Sequence, residues 1–149
     1  MGVTSSRAFK RQRDAVRAAL DLADHDVVRV LGRARVRAVG PNEAIIVEGD
    51  AADAMYIIVH GKFEVAVRKP DGGSKPLRVL GAGTCVGEMG LLEGAPRRAT
   101  VTCRTNEGEV IVLTAADVRY LLDGAQGARI GLAEAAAERA VQLNRAISA

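Results

Sequence analysis

One stretch of the chain decides how the rest is interpreted: residues 87–100 have the sequence GEMGLLEGAPRRAT. Strand-like segments precede and follow it, and the packing of strands alone does not require such an interruption. Gly87 predicts the start of one short helical turn, where free backbone N–H groups beside a residue without a side chain suit an anion. Arg97, on the return toward the next strand, supplies a planar, permanently charged fork for two anion oxygens. Glu88, in the predicted turn, can accept hydrogen bonds from neutral hydroxyl groups.

Around this stretch, residues 34–113 follow a period of two and are divided by Gly, Pro, Asn and Asp about every ten residues. This pattern predicts a β-sandwich or β-roll. The turn cluster Pro70–Ser74 predicts an exposed hairpin between the fourth and fifth strands. The predicted strands are Val36–Val39, Ala44–Val47, Met55–Val59, Phe63–Arg68, Leu77–Leu80, Ala99–Cys103 and Val110–Leu113.

Helical periodicity replaces the strand pattern before residue 34. Residues 4–23 predict a first helix, and a second, short helix is opened by His25-Asp26 and closed by Gly32. Residues 1–37 hold nine Lys/Arg against four Asp, although the net charge of the whole chain is only +3. A basic helix face of this kind can contact phosphates or an anionic bilayer, but a solvated face is favoured because no aromatic residues are interleaved for stacking on nucleic acid.

The helical pattern returns after Leu113. Thr114 is predicted to cap a helix over Ala115–Leu122. A last helix is predicted over Ala128–Ile147, with an alanine-rich stripe at heptad-like spacing. This stripe leaves two interpretations open, of which packing on its own domain is slightly favoured over a homodimer formed through the terminal helices.

The composition of the chain limits the classes of protein to which it can belong. Hydrophobic residues make up 48% and charged residues 26% of the chain, so we expect a folded globular protein, and 149 residues suffice for one domain. No apolar run is long enough to span a membrane, and the first residues lack the apolar core of a signal peptide. Cys85 and Cys103 are expected to be free thiols in a reducing cytoplasm. The predicted location is therefore cytoplasmic, or the cytoplasmic face of a membrane if the chain belongs to a channel or transporter.

The stretch at 87–100 resembles the phosphate-binding cassette of cyclic-nucleotide-binding domains, whose pattern is Gly-Glu, small or apolar residues, a short variable turn and Pro-Arg-x-Ala-Thr. Every fixed position of that pattern is filled. Residues 49–61, GDAADAMYIIVHG, are similar to the second-to-third strand region of the same family. The resemblance covers about residues 20–145. It implies an α+β, mainly β fold: an eight-stranded antiparallel β-roll with N-terminal helices, a short phosphate-binding helix and two C-terminal helices.

As one domain over 1–149, the chain then divides into N-terminal helices (1–33), a β-roll (34–113) and C-terminal helices that include a lid (114–149). The resemblance implies that Arg97 binds the cyclic phosphate and that Glu88 binds the ribose 2′-hydroxyl. Backbone amides near Gly87, Glu88, Arg98 and Ala99 complete the anion site.

The base of the nucleotide is expected to lie against apolar residues, with Val79, Val86 and Met89 as candidates. The segment Ala135–Arg139 is similar to the lid of bacterial channel regulatory domains, so Arg139 is a candidate to cap the base. Receptors that prefer cGMP often carry a hydroxyl residue directly after the phosphate-binding arginine, where this chain has Arg98. The resemblance therefore favours cAMP over cGMP as the ligand, with no cofactor.

Other classes of protein fit less well. A metal-dependent β-roll enzyme needs clustered ligands, but His25 and His60 are far apart, and no catalytic Ser-His-Asp or Cys-His set is evident. We expect no metal and no enzyme activity. Because the chain ends two residues after Ile147, we expect neither a helix-turn-helix nor a nucleic-acid partner. The predicted function is a cyclic-nucleotide sensor that moves its C-terminal helix to control a channel, transporter or other effector; a scaffold without bound nucleotide is the alternative.

Overall fold

The computed structural model describes residues 6–124, which form three helices and eight strands. The strands are antiparallel throughout and lie in two four-stranded sheets, with orders β1-β8-β3-β6 and β2-β7-β4-β5. In chain order the elements are α1 Ser6–Leu20, α2 Asp24–Arg33, β1 Arg35–Val39, β2 Ala44–Ile46, β3 Ala54–His60, β4 Phe63–Arg68, β5 Ser74–Leu80, β6 Cys85–Val86, β7 Thr100–Cys103, β8 Gly108–Thr114 and α3 Ala115–Gly124.

Strand β3 connects two hydrophobic cores because both of its faces are buried. Successive side chains of a strand point to opposite faces. Met55 and Ile57 therefore belong to the core formed with the helices, whereas Tyr56 and Ile58 belong to the core between the two sheets. This double burial explains why the strand is an unbroken apolar run rather than an alternating one.

Helix α3 begins with a reciprocal cap, as the sequence predicts. The Thr114 hydroxyl accepts a hydrogen bond from the backbone N–H of Asp117 at 3.2 Å, and the Asp117 carboxylate accepts one from the backbone N–H of Thr114 at 3.0 Å. These bonds satisfy donors that the first turn of a helix leaves without partners.

The sequence prediction of the elements is confirmed in outline and corrected in detail. The hairpin at residues 70–74 joins β4 and β5 as expected. Helix α2 runs through Gly32 to Arg33, so that glycine does not close it. Strand β6 was not predicted, because two residues are too few to show a period. The predicted helix Ala128–Ile147 and the dimer seam on it lie outside the described residues.

Both cysteines are free, as the sequence predicts, and the structure shows that both are buried. None of the helices within residues 6–124 is long and apolar enough to cross a membrane.

Candidate functional site

The segment after β6 is a series of turns rather than the predicted short helix. The backbone N–H of Leu91 bonds to the carbonyl of Glu88 at 3.3 Å, and that of Ala95 bonds to the carbonyl of Gly90 at 3.0 Å. Gly90 and Gly94 have φ values of +67° and +64°, which a right-handed helix does not contain. The prediction of a phosphate-binding helix is therefore wrong, because these glycines end each turn before a helix can propagate.

Gly87 opens this segment at a position that no other residue can occupy without displacement. Its φ is +88°, and a Cβ atom there would lie 2.9 Å from Ile46 Cδ1, 3.0 Å from Arg97 Nη1 and 3.2 Å from the carbonyl oxygen of Ala54. Real Cβ atoms essentially never approach other atoms so closely. The missing side chain thus allows the guanidinium of Arg97 to pack directly against the backbone.

Arg97 is the buried cation of the site, with 5% of its side chain exposed. Its Nη1 donates to the carbonyl oxygen of Gly87 at 2.7 Å, and its Nη2 donates to the carbonyl oxygen of Ala54. Nη2 also lies 3.5 Å from the carboxylate of Asp53, whose side chain is 84% exposed. Buried guanidinium groups need such partners, since desolvation of an unpaired charge is costly. These contacts hold the guanidinium between Gly87, which follows β6, and the start of β3.

The backbone of residues 49–52 holds the arginine from the other side. The N–H of Gly49 donates to the carbonyl of Arg97 at 2.9 Å, and the N–H of Arg97 donates to the carbonyl of Asp50 at 2.7 Å. The N–H of Ala52 bonds to the carbonyl of Ala95 at 2.8 Å. The two motifs of the sequence therefore meet in space around Arg97.

Glu88 is half-buried and lies beside Cys85, whose Sγ is 3.8 Å from Glu88 Oε2. Glu88 and Arg97 both line one cavity. A carboxylate and a guanidinium in the lining of one cavity suit a ligand that carries both hydroxyl groups and an anionic group.

The pKa of Tyr56 is affected by the charges of Asp53 and Arg97. Burial raises the pKa of its hydroxyl above the ordinary value, and the carboxylate of Asp53 adds to the shift, while Arg97 opposes it. The folded structure therefore favours the neutral phenol.

The cavity has a volume of about 170 Å³ and is open to solvent. Three arginines and one glutamate line it, which makes its charge positive and suits an anionic ligand. Its wall combines the loop after β6, the return to β7, and the inner faces of β2, β4, β5 and β7. The lining residues are Ile46, Val65, Arg78, Leu80, Val86, Gly87, Glu88, Met89, Gly90, Ala95, Pro96, Arg97, Arg98, Ala99 and Val101.

Most of the predicted site residues converge on this cavity. Gly87, Glu88, Arg97, Arg98 and Ala99 all line it. Of these, Ala99 is buried, whereas Arg98 is exposed. Two of the base-pocket candidates, Val86 and Met89, also line the cavity. Arg139 lies outside the described residues.

Val79 does not line the cavity and is a wrong prediction. It pairs with Glu64 and is 62% exposed, because it lies on the outer face of β5. Its neighbours Arg78 and Leu80 line the cavity instead. The register of the β4–β5 pair shifts between Val65 and Ala66, and this irregularity sets which face of β5 is inward. Sequence alternation alone does not locate a bulge.

Helix α3 contacts the loop between β6 and β7 through Arg119. Its Nη2 donates to the carbonyl oxygen of Leu92 at 2.9 Å. The same helix contacts α2, where Arg33 lies 3.2 Å from the Asp117 carboxylate and its guanidinium stacks 4.3 Å from the ring centre of Tyr120. The sequence did not predict these contacts, because each of them joins residues that are distant along the chain.

No group of His, Cys, Asp and Glu side chains within residues 6–124 is arranged to hold a metal ion. The cavity is lined by three arginines, one glutamate and otherwise glycine, proline and apolar residues.

The domain is a β-roll in which the loop after β6 carries a buried arginine and lines an open cavity, as is expected of a ligand-binding domain. The chain matches the family model of the cyclic nucleotide-binding domain over residues 36–124. It belongs to this family, which consists of regulatory ligand-binding domains rather than catalysts.

Named relatives come from several kinds of protein. A cyclic nucleotide-gated potassium channel of Rhizobium etli is 40% identical over 96 residues, covering 64% of this chain and 24% of the channel. A cAMP-dependent protein kinase regulatory subunit of Yarrowia lipolytica is 35% identical over 85 residues, covering 57% of this chain and 22% of the subunit. The chain thus spans about a quarter of the length of these curated relatives.

Solved structures support the same fold. The catabolite activator protein of Thermus thermophilus superposes with a TM-score of 0.75 at 25% identity, covering 85% of this chain and 59% of that protein.

Proposed function

We propose that this domain senses a cyclic nucleotide, preferring cAMP, and passes the binding signal to an effector through its C-terminal helices. The observation that carries the proposal is the convergence of Arg97, Gly87 and Glu88 on one positively charged cavity. A buried arginine fork suits the cyclic phosphate, and the neighbouring carboxylate suits the ribose 2′-hydroxyl. The apolar wall suits a base. The preference for cAMP rests on Arg98, which stands where cGMP receptors often carry a hydroxyl.

The test is calorimetric titration of the full chain with cAMP, cGMP and 5′-AMP. We expect micromolar or tighter binding of cAMP and much weaker binding of 5′-AMP, whose phosphate is not cyclised onto the ribose. The 5′-AMP titration is the matched control, because it has the same base and ribose. A chain that binds neither cyclic nucleotide would contradict the proposal and favour the alternative function, a β-roll scaffold for protein interactions.

We propose that the binding signal passes from the cavity to the C-terminal helices through Arg119. This residue of α3 donates a hydrogen bond to the carbonyl of Leu92, in the loop between β6 and β7. The predicted lid helix follows α3 along the chain. A ligand shifts such an equilibrium only by its difference in affinity for the two arrangements. The volume of the cavity, about 170 Å³, is below the ~300–1,000 Å³ that is typical of ligand pockets. This small volume supports the proposal that a lid completes the site. We therefore propose that chain beyond residue 124, with Arg139 against the base, covers the rest of the nucleotide.

Hydrogen exchange with and without cAMP tests this transmission. Amides of residues 130–145 are expected to gain more protection on binding than those of Met55–Val59. Arg119→Ala is expected to reduce that gain, whereas Arg104→Ala, which removes an exposed arginine on the far side of β4, is the control. Equal protection of residues 130–145 in free and bound protein would contradict the lid.

The effector is proposed to be a channel, a transporter or another regulated domain. The potassium channel of Rhizobium etli supports a channel, and the kinase regulatory subunit supports a soluble effector. A cytoplasmic location, including the cytoplasmic face of a membrane, fits both. Dimerisation through the terminal helices stays a prediction, and sedimentation of the full chain with and without cAMP tests it.

A further inference from the structure

Helix α1 carries a row of charged side chains that the nucleotide site does not use. One side of the helix is buried against the rest of the domain through Gln12, Ala15, Val16 and Leu20. At about 100° per residue, the charged residues on the opposite side fall within an arc of about 120°. This basic stripe consists of Arg7, Lys10, Arg11, Asp14 and Arg17, all of which are exposed.

The basic stripe keeps most of its positive charge. Arg17 forms an ion pair with Asp24 at the start of α2. Arg7, Lys10 and Arg11 form no ion pair with any residue in the range 6–124. Asp14 is the only acidic side chain of the stripe. The exposed side of α1 therefore presents an uncompensated cationic surface.

The packing of α1 limits how this surface can meet a partner. Ala15, Val16 and Leu20 belong to the core that also contains Met55 and Ile57 of β3. A helix that inserts into the surface of a bilayer needs a free apolar face, and that of α1 is already occupied. The stripe can therefore bind only through charge, which attracts lysine and arginine to anionic headgroups over about one Debye length.

Other anionic partners match the stripe less well. Protein interfaces have an apolar or aromatic centre that is depleted in lysine, and the stripe has no large apolar side chain. DNA-binding proteins commonly neutralise about 6–10 phosphates, and three unpaired cations supply too few. A membrane surface is an extended plane of charge, which a straight row of cations about 15 Å long can face along its whole length.

We propose that the basic stripe of α1 docks this domain on an anionic membrane surface, where it binds the headgroups of acidic phospholipids. The docking is electrostatic and involves no insertion into the hydrocarbon layer. No residue of the stripe lines the nucleotide cavity. The docking is therefore a second binding property of the domain, separate from the proposed recognition of a cyclic nucleotide.

Co-sedimentation of the full chain with lipid vesicles tests the docking. We expect binding to vesicles of phosphatidylcholine with phosphatidylserine at about 0.1 M salt and loss of that binding at about 1 M salt, where the Debye length is about 3 Å. Vesicles of phosphatidylcholine alone should not bind. The double variant Lys10→Gln/Arg11→Gln is expected to bind on the order of twenty- to thirtyfold more weakly, since each cation near the surface contributes about fivefold.

The matched control is the double variant Lys62→Gln/Arg68→Gln. It removes the same charge from two exposed residues near the ends of β4, outside the stripe, and should bind the vesicles nearly as tightly as the wild type. Melting temperatures of both double variants, compared with that of the wild type, show that the substitutions leave the fold intact. Arg97→Ala is expected to bind the vesicles normally, so a failure of docking and a failure of nucleotide sensing are distinguishable.

Three outcomes would overturn the proposal. Equal losses in the two double variants would show that the net charge of the chain, rather than the stripe, drives binding. Equal binding with and without phosphatidylserine, or no binding to either kind of vesicle, would show that acidic headgroups are not the ligand. Tighter binding to duplex DNA than to the vesicles at the same salt, lost in Lys10→Gln/Arg11→Gln, would make the stripe a nucleic-acid surface instead.

Discussion

The guanidinium of Arg97 donates to the carbonyl oxygen of Gly87 at 2.7 Å, and a methyl group on Gly87 would lie 3.0 Å from the same nitrogen. The two residues are ten positions apart and form one unit. The glycine provides the space and an acceptor, and the arginine provides the charge. Each is therefore expected to be sensitive to substitution for a different physical reason.

Arg97→Ala is expected to be the most damaging change for ligand binding. Truncating one partner of a buried charge pair costs about 2–5 kcal/mol, and the phosphate would lose its counter-charge. Calorimetry with cAMP measures the loss. Arg68→Ala is the control, because Arg68 is an exposed arginine of β4 that does not line the cavity. Wild-type affinity in Arg97→Ala would show that the phosphate does not bind at this arginine.

Arg97→Ala is also expected to destabilise the fold without ligand. It leaves the carbonyl oxygens of Gly87 and Ala54 without their guanidinium donors, and each buried group left unsatisfied costs about 1–3 kcal/mol. Urea denaturation without nucleotide measures this loss. A variant as stable as the wild type would indicate that water replaces the arginine.

Gly87→Ala is expected to lower both stability and affinity, and Gly72→Ala is its matched control. Both glycines have a φ of +88°, so the left-handed backbone costs each alanine about 1–2 kcal/mol. Only at Gly87 does the new Cβ also meet Ile46, Arg97 and Ala54, whereas nothing lies within 4 Å at Gly72. The difference between the two variants in urea denaturation isolates the close contact. Equal losses would show that the Arg97 side chain moves away at no cost.

Bound nucleotide is expected to stabilise the fold by mass action, since the unfolded chain has no site. At a hundredfold excess over the dissociation constant the gain is about 2.7 kcal/mol. Thermal melting with increasing cAMP measures it, and the same titration of Arg97→Ala should show a much smaller shift. A melting temperature unmoved by either cyclic nucleotide would favour the scaffold.

Glu43 is expected to give the fold a contribution that depends on acid pH. Its carboxylate accepts a hydrogen bond from the backbone N–H of Gly40 and another from Arg37, and these lower its pKa below 4.5. A lowered folded-state pKa means that the contribution is complete above the unfolded value and is lost as pH falls through the folded value. Glu43→Gln should therefore be less stable than the wild type at pH 7 and lose that deficit in strong acid. A deficit that is the same at pH 2, measured by urea denaturation, would contradict this account.

The sequence predicted what depends on local chemistry. Period-two alternation located seven of the eight strands, Thr114 was identified as a helix cap, and the spacing of Gly87, Glu88 and Arg97 indicated an anion site. Each of these signals is carried by residues that are close along the chain. The prediction of a helix after Gly87 was wrong because it needed information that is not local. Whether a glycine adopts a positive φ, as Gly90 does, depends on tertiary contacts rather than on its neighbours in sequence.

The β-roll and the charged residues Glu88, Arg97 and Arg98 could be predicted from the sequence, because hydrophobic period and residue chemistry are local properties. The inward face of β5 could not, since an irregularity in its pairing with β4 places Arg78 in the cavity lining and Val79 on the outer face. Only the tertiary structure brought Ala54 and Asp53 to Arg97 across 43 and 44 residues. Register and long-range contacts are set by the packing of whole strands, and no short stretch of sequence contains them.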